Sequence, residues 1–354
     1  MSMTKIKIWY PEKLFDKNQR NSWFELIKSK ERFERKQNQI DGSIQNQIEW
    51  VDSADSADVY VLPQDWGYYY SINRQVDAIK FCKEAFKKGV TVLSNSGGDQ
   101  GITVPVPENT IVYRQSGYRS KRKANERTIP FFLSDPITSL LKMEEESAFQ
   151  IQNGQLPVVG FCGMSPHGFQ IAIKERLQII HRNLKSILKI KTGDLQQILS
   201  SSNLRYQTLE VFRNSKKFKA NYIIRKKYRG GIQTSENRKK TTKEYYDNQL
   251  ESNLIVCVRG VGNFSLRFFE TLGMGRIPIF IDTDSPLPDI GGRNWKDYII
   301  WIDKSEISSS AEIAENWLKG RDMRAQQRLN RKLWVDCFRL DNFWINEFKR
   351  FKNN

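Results

Sequence analysis

Residues 254–282 read Leu-Ile-Val-Cys-Val-Arg-Gly-Val-Gly-Asn-Phe-Ser-Leu-Arg-Phe-Phe-Glu-Thr-Leu-Gly-Met-Gly-Arg-Ile-Pro-Ile-Phe-Ile-Asp. Arg259 opens a small-residue loop through Gly260, Gly262 and Asn263; Ser265, Arg267 and Glu270 follow it. Guanidinium forks match phosphate oxygens, and backbone N–H groups at a helix start add a positive dipole. Two arginines beside such a loop therefore suit a diphosphate, and the carboxylate of Glu270 suits ribose hydroxyls, the combination a nucleotide sugar needs. The plainer alternative stays open: Arg267 and Glu270 also fit a solvated i,i+3 pair.

The elements that hold these residues can be read on either side of them. Leu254–Val258 is a short apolar, β-branched run, the pattern of a strand buried on both faces. Ser265 can cap a helix with an apolar stripe at Leu266, Phe269 and Leu272, and Gly273 and Gly275 end it. Ile277–Ile281 is a second buried strand, closed by Asp282. Strand, helix and strand in about 30 residues make a parallel βαβ unit. Its Gly-rich turn falls at a strand's carboxyl end, where open α/β sheets bind ligands. The spacing is not the dinucleotide fingerprint, since no G-x-G-x-x-G occurs there.

This stretch resembles the C-terminal part of the exostosin family of glycosyltransferases. That family carries C-x-x-R-G-x-x-x-x-S-x-R-F-x-E-A-x-x-x-G-x-I-P-V-I, then an acid, a Leu-Pro and a Trp. Cys257 is followed here by Val258, Arg259 and Gly260, one residue tighter than in some members. Ser265, Arg267, Phe268, Glu270, Gly275, Ile277 and Pro278 fall in place, and Leu287-Pro288 and Trp295 follow. The matching core covers about residues 215–305. The resemblance implies a GT-B fold, two Rossmann-like domains facing a central cleft. It implies transfer of a sugar from a UDP- or GDP-sugar to a glycan hydroxyl, inverting and metal-independent, with no cofactor, in cell-surface polysaccharide or lipopolysaccharide synthesis. Arg225 is the match for the family's F-x-I-R-x-R-x-x-G-G-like donor element, which would continue into Tyr228-Arg229-Gly230-Gly231. Arg225, Arg259 and the N–H groups from Gly260 to Ser265 would then take the leaving diphosphate, and Glu270 the ribose.

The rest of the chain fits two domains, 1–150 and 151–354. In the first, strands at Lys5–Tyr10, Asp58–Pro63, Val90–Leu93 and Asn109–Tyr113 alternate with helices at Asn21–Arg35 and Asn73–Lys88, a parallel-sheet pattern. Three strand ends carry polar or aromatic groups: Asp65–Tyr70, Gly97–Asp99 and Arg114–Arg119. Rings beside carboxylates suit sugars, so Trp66, Tyr68 and Arg114 are candidate acceptor contacts; a turn with surface tyrosines is the alternative. Asp99, which follows Gly97-Gly98 at a strand end, is the preferred general base, ahead of Asp65. A new strand from Leu156 ends in the Gly163–Gly168 loop before a helix from about Phe169 to Leu188. His167 in that loop could touch phosphate or act as base. A further helix is expected to open at Thr242 and run to Ser252.

Composition bounds the partners. The 354 residues carry a formal charge of +17, which attracts nucleic acid, anionic lipid or anionic substrate without choosing among them. Residues 213–240 are strongly basic, but Tyr222-Ile223-Ile224 breaks the run as a strand. No apolar run approaches the 18 residues of a membrane span. The first residues read as a strand, not a leader, which suggests a cytoplasmic bacterial form with peripheral contact at an anionic membrane. Four separated cysteines and two histidines leave no metal-ligand spacing, and Asp282 and Asp284 read as loop and strand-end groups. The partners expected are a nucleotide-sugar donor and a glycan or lipid-linked acceptor. The competing reading is a non-catalytic basic protein that binds nucleic acid or an acidic polymer, although no nucleic-acid motif is recognisable.

Overall fold

The structure is a computed structural model that describes residues 5–34, 44, 46–149, 156–225 and 234–353. The N-terminal unit contains β1 (Ile6–Trp9), α1 (Glu25–Glu34), β2 (Ile48–Trp50), β3 (Val59–Val61), α2 (Trp66–Ser71), α3 (Gln75–Lys87), β4 (Thr91–Ser96), β5 (Thr110–Arg114) and β6 (Glu126–Thr128). Its sheet runs β2-β1-β3-β4-β5-β6, and every pairing is parallel. The central strands β3 and β5 are buried throughout, as parallel strands covered by helices on both faces are, while the outer strands β2 and β6 carry Glu49 and Arg127.

The second unit contains β7 (Val158–Met164), α4 (Phe169–Ile187), α5 (Ser201–Asn214), β8 (Lys219–Arg225), α6 (Ser235–Leu250), β9 (Leu254–Cys257), α7 (Leu266–Gly273), β10 (Ile277–Asp282), β11 (Ile300–Asp303), α8 (Ser310–Leu318) and α9 (Met323–Phe338). Its sheet runs β11-β10-β9-β7-β8, again parallel throughout. Counted from its own first strand, the order is 2-1-3-4-5, a doubly wound sheet whose switch point lies between β7 and β9. Two such sheets meet along the loops at their strand carboxyl ends. This is the two-unit α/β plan of the GT-B class.

The sequence pattern located most elements within a few residues. The clearest difference is α6, which begins at Ser235 and not at Thr242. Residues 235–242 have no apolar periodicity to signal a helix, yet Glu, Arg and Lys are strong helix formers and carry it seven residues further back. The Tyr228–Gly231 turn lies outside the described residues.

Between the units, Arg331 of α9 fastens the connecting segment. It is buried and bonds to Asp135, to Glu145 at 3.0 Å and to the Gly273 carbonyl at 2.7 Å. The last helix, α10 (Leu340–Asn353), then crosses to the N-terminal unit. Its Phe343, Trp344 and Phe348 join the core formed by Ile8, Phe24, Val61 and Tyr113. Trp344 is fully buried, edge-on to Phe24 and Tyr113. Trp344→Ala should lower stability by about 3–5 kcal/mol through lost burial and the cavity left behind. Chemical denaturation measures this; a loss under about 1 kcal/mol would mean that α10 is not part of the N-terminal core.

Candidate functional site

Two arginines meet at the switch point of the second sheet. Arg267, in the first turn of α7, donates from Nη2 to the Cys162 carbonyl of β7 at 2.8 Å and from Nη1 to the Val256 carbonyl of β9 at 3.4 Å. Its guanidinium lies 4.1 Å from the centre of the Phe161 ring. Arg205 of α5 approaches the same ring at 5.9 Å and donates to the Met164 carbonyl at 2.6 Å. Gly163 makes room for them, since a Cβ there would stand 2.8 Å from Arg267 Nη2.

Neither arginine has an ion-pair partner among the described residues, and the Nε of each is buried without a hydrogen bond. The nearest acids are already engaged. Glu175 accepts from the hydroxyls of Ser200, at 2.6 Å, and Ser202. Glu270 accepts from the hydroxyls of Tyr245, at 2.5 Å, and Tyr246, at 3.4 Å. Burial, with the like charge of Arg267 adding to it, pulls the Arg205 guanidinium down to about 10. Arg276 shows what a structural buried arginine looks like in the same unit. Its three nitrogens donate to the carbonyls of Gln249, Met274, Ala148 and Leu250 and to Gln327 Oε1. Buried donors are normally satisfied in this way. The under-bonded pair at the switch point therefore has capacity left for an anion.

Arg259 is placed differently. It is buried at the seam between the units, where it reaches Tyr118 Oη at 3.4 Å, Gln196 Oε1 at 3.3 Å and the Val261 carbonyl at 3.0 Å. No ion-pair partner for it occurs among the described residues, and its Nε is also unbonded. The loop that follows is less open than its glycines suggest. Gly260 N–H donates to the Phe264 carbonyl at 3.0 Å and Asn263 N–H to Ser116 Oγ at 3.1 Å, so neither is available to cradle a phosphate. Asn263 is fully buried and saturated by Gly117, Thr283, Asp284 and Ser285, which corrects its reading as a donor contact. Gly262 lies against the N-terminal unit: a Cβ there would be 2.6 Å from the Asp99 carbonyl. Ser265 precedes α7 as its cap residue, but its side chain makes no cap hydrogen bond. Arg225, at the end of β8, is paired with Glu244 and donates to the Thr241 carbonyl at 3.0 Å.

On the N-terminal side, Asp99 is exposed on the loop that touches Gly262. His167 is exposed and stacks on Tyr206, the neighbour of Arg205, with ring centres 4.3 Å apart. Asp65 caps α2 by accepting from Tyr68 N–H at 3.1 Å. It also lines a cavity of about 160 Å³ with Glu25, Lys28, Asn95 and Gln115. Two acceptor candidates are corrected. Trp66 is fully buried and donates to Ser94 Oγ at 3.1 Å, so its ring is core and cannot stack on a sugar. Arg114 is buried between Glu126, at 2.8 Å, and Asp194, so it ties the units together. Tyr68 is half-buried, and its hydroxyl bonds to Asp16, which pushes its pKa up to about 12. Asp282 and Asp284 face Arg119 and Ser120 across the seam.

Arg205 is the residue that sequence reasoning missed. It is one cation in an ordinary amphipathic helix, and only the docking of α5 beside β7 brings it to Phe161.

No protein-family model matches the chain, so the exostosin resemblance rests on its motif residues alone. No curated protein matches it in sequence. Among solved structures, a glycosyltransferase from Rickettsia africae aligns over 99% of this chain and 98% of its own, with 11% identity and a TM-score of 0.39. TarM aligns over 75% of this chain and 53% of its own, with 10% identity and a TM-score of 0.30. Both superpositions are loose, and neither fixes the activity of this chain.

Burial pushes the Asp65 carboxyl up, against the lowering by the Tyr68 and Gly67 N–H groups. Its folded pKa therefore exceeds the unfolded value, and stability falls as pH rises through the window between them. Asp65→Asn retains a good cap acceptor and removes the buried charge. The variant should be more stable than wild type at pH 7, with the gain vanishing below about pH 3.9, the ordinary Asp value. Urea midpoints across pH would show this; a gain that grows toward acid contradicts it.

Proposed function

We propose that the chain is a glycosyltransferase that binds a nucleoside diphosphate sugar at the β7/β9 switch point. The observation that carries this is the Arg205–Arg267 pair, half-buried at the carboxyl ends of two parallel strands, with both Nε atoms buried and unbonded and without ion-pair partners among the described residues. A diphosphate placed there would receive charge-assisted hydrogen bonds and relieve the repulsion between the two cations. The exostosin-like motif supports the same ligand, since Arg267 and Glu270 belong to it. The acceptor would approach from the N-terminal unit. Asp99, exposed on the loop that abuts Gly262, takes the proton from the acceptor hydroxyl. The oxygen attacks the anomeric carbon, the bond to the diphosphate breaks on the opposite face, and the configuration inverts. The donor base is a UDP or GDP class, and the arginines do the neutralising.

Thermal-shift titration with UDP- and GDP-sugars, with and without EDTA, tests the donor site. Arg205→Ala should still fold cooperatively, since the lost Met164 hydrogen bond is offset in part by removal of a desolvated charge. It should bind donor about tenfold to a hundredfold more weakly, the value of one charge-assisted hydrogen bond. Unchanged donor affinity would move the site elsewhere. If no sugar nucleotide shifts the wild type while nucleic acid does, with a steep salt dependence, the chain is a binding protein. Separately, Asp99→Asn should lower turnover about 10²- to 10⁴-fold with donor binding unchanged. Full activity in that variant, with loss in Asp65→Asn, would transfer the base role to Asp65.

A further inference from the structure

The helix that follows the β7 loop leaves its apolar face uncovered. Of the 19 residues of α4, Ala172 alone is buried. Phe169, Ile173, Leu177, Ile180, Leu184 and Ile187 are all exposed, Phe169 at 80% and Leu177 at 59%. At 100° per residue these six positions fall within an arc of about 80°, a single stripe along a helix about 28 Å long. The stripe continues past the helix through Leu188 and Ile190, which are exposed at 66% and 69%. Isolated surface leucines need no explanation, but a continuous stripe of this length does.

The charges beside the stripe select its occupant. Lys174 and Lys185 border one edge and Arg176 the other, and all three are exposed. The one carboxylate of α4, Glu175, is turned inward to Ser200 and Ser202, so the outward face carries no negative side chain of its own. A second copy of this chain would set cations against cations. An anionic bilayer surface meets both requirements, with lipid phosphates for the lysines and the acyl boundary for the stripe.

We propose that α4 lies in the surface of an anionic membrane, its apolar stripe at the acyl boundary and its flanking cations on lipid phosphates. The exposed loop with His167 runs directly into Phe169, the exposed first residue of this helix, so binding sets the mouth of the β7 site beside the membrane. The inference rests on α4 alone and stands whether or not the donor reading holds.

The test is flotation of the full chain with vesicles of phosphatidylcholine, either alone or mixed with phosphatidylglycerol. Binding should require the anionic lipid. It should weaken as salt rises from about 0.1 M to about 1 M, where the screening length falls from about 10 Å to about 3 Å. Leu177→Asp/Leu184→Asp and Lys174→Glu/Lys185→Glu should each reduce binding about tenfold or more, with wild-type melting temperatures, because the altered side chains are exposed. Equal flotation with both vesicle types, or no loss in either double variant, would overturn the proposal. So would sedimentation showing a dimer that Leu177→Asp/Leu184→Asp disperses, which would make a second copy the occupant.

Discussion

A single buried amide governs how the two sheets meet. The Nδ2 of Asn263 donates to the carbonyls of Gly117, Thr283 and Asp284, and its Oδ1 accepts from Thr283 and Ser285. The first of these partners belongs to the N-terminal unit and the others to the loop after β10. An amide saturated on both ends in a dry interior fixes register, because any shift would strand donors whose desolvation has no compensation. The neighbouring contacts follow from it. Arg119 reaches Asp282, Tyr118 bonds to Gln196 and to the Gln197 N–H, and the Asp99 carbonyl packs on Gly262.

This seam explains why residues of one motif have two different jobs. Arg259 and Asn263 face the partner unit, Asn263 with its side chain fully bonded and Arg259 with its Nε still open. Arg267, one helical turn further on, faces β7 and keeps hydrogen-bonding capacity. The division follows the switch point: the loop after β9 enters the seam, while beyond the Val159–Leu254 and Gly160–Ile255 pairing of β7 with β9 Arg267 bridges the gap between Cys162 and Val256. Arg205 enters that gap from a helix on the other side.

The two parallel sheets were legible in the sequence because buried strands such as Ile277–Ile281 and Leu254–Val258 have no polar alternation to confuse with anything else. The candidate site was legible only in its local spacing. Arg267 and Glu270 sit three residues apart on one helix, but their partners were not legible: Arg267 turns to the Cys162 and Val256 carbonyls and Glu270 to Tyr245 and Tyr246. Trp66 was misread because a Trp after an Asp at a strand end looks like a sugar platform, whereas α2 turns the ring inward to Ser94. Arg114 was misread because its carboxylates, Glu126 and Asp194, are 12 and 80 residues away. Arg205 had no local signal: its meaning depends on Met164 and Phe161, which only the packing of α5 supplies.

The exchange of contacts between the units bears on how the chain can be divided. The N-terminal sheet takes Trp344 from the last helix for its core, and Arg114 takes Asp194 from beyond the connector for its charge balance. The second unit in turn has its Gly260–Asn263 loop held in place by Ser116 and Gly117 of the first. Neither half is a module. Recombination that trades one half for a homologous one would separate partners that lie at opposite ends of the polypeptide, so this architecture can diverge by substitution within loops far more easily than by exchange of domains.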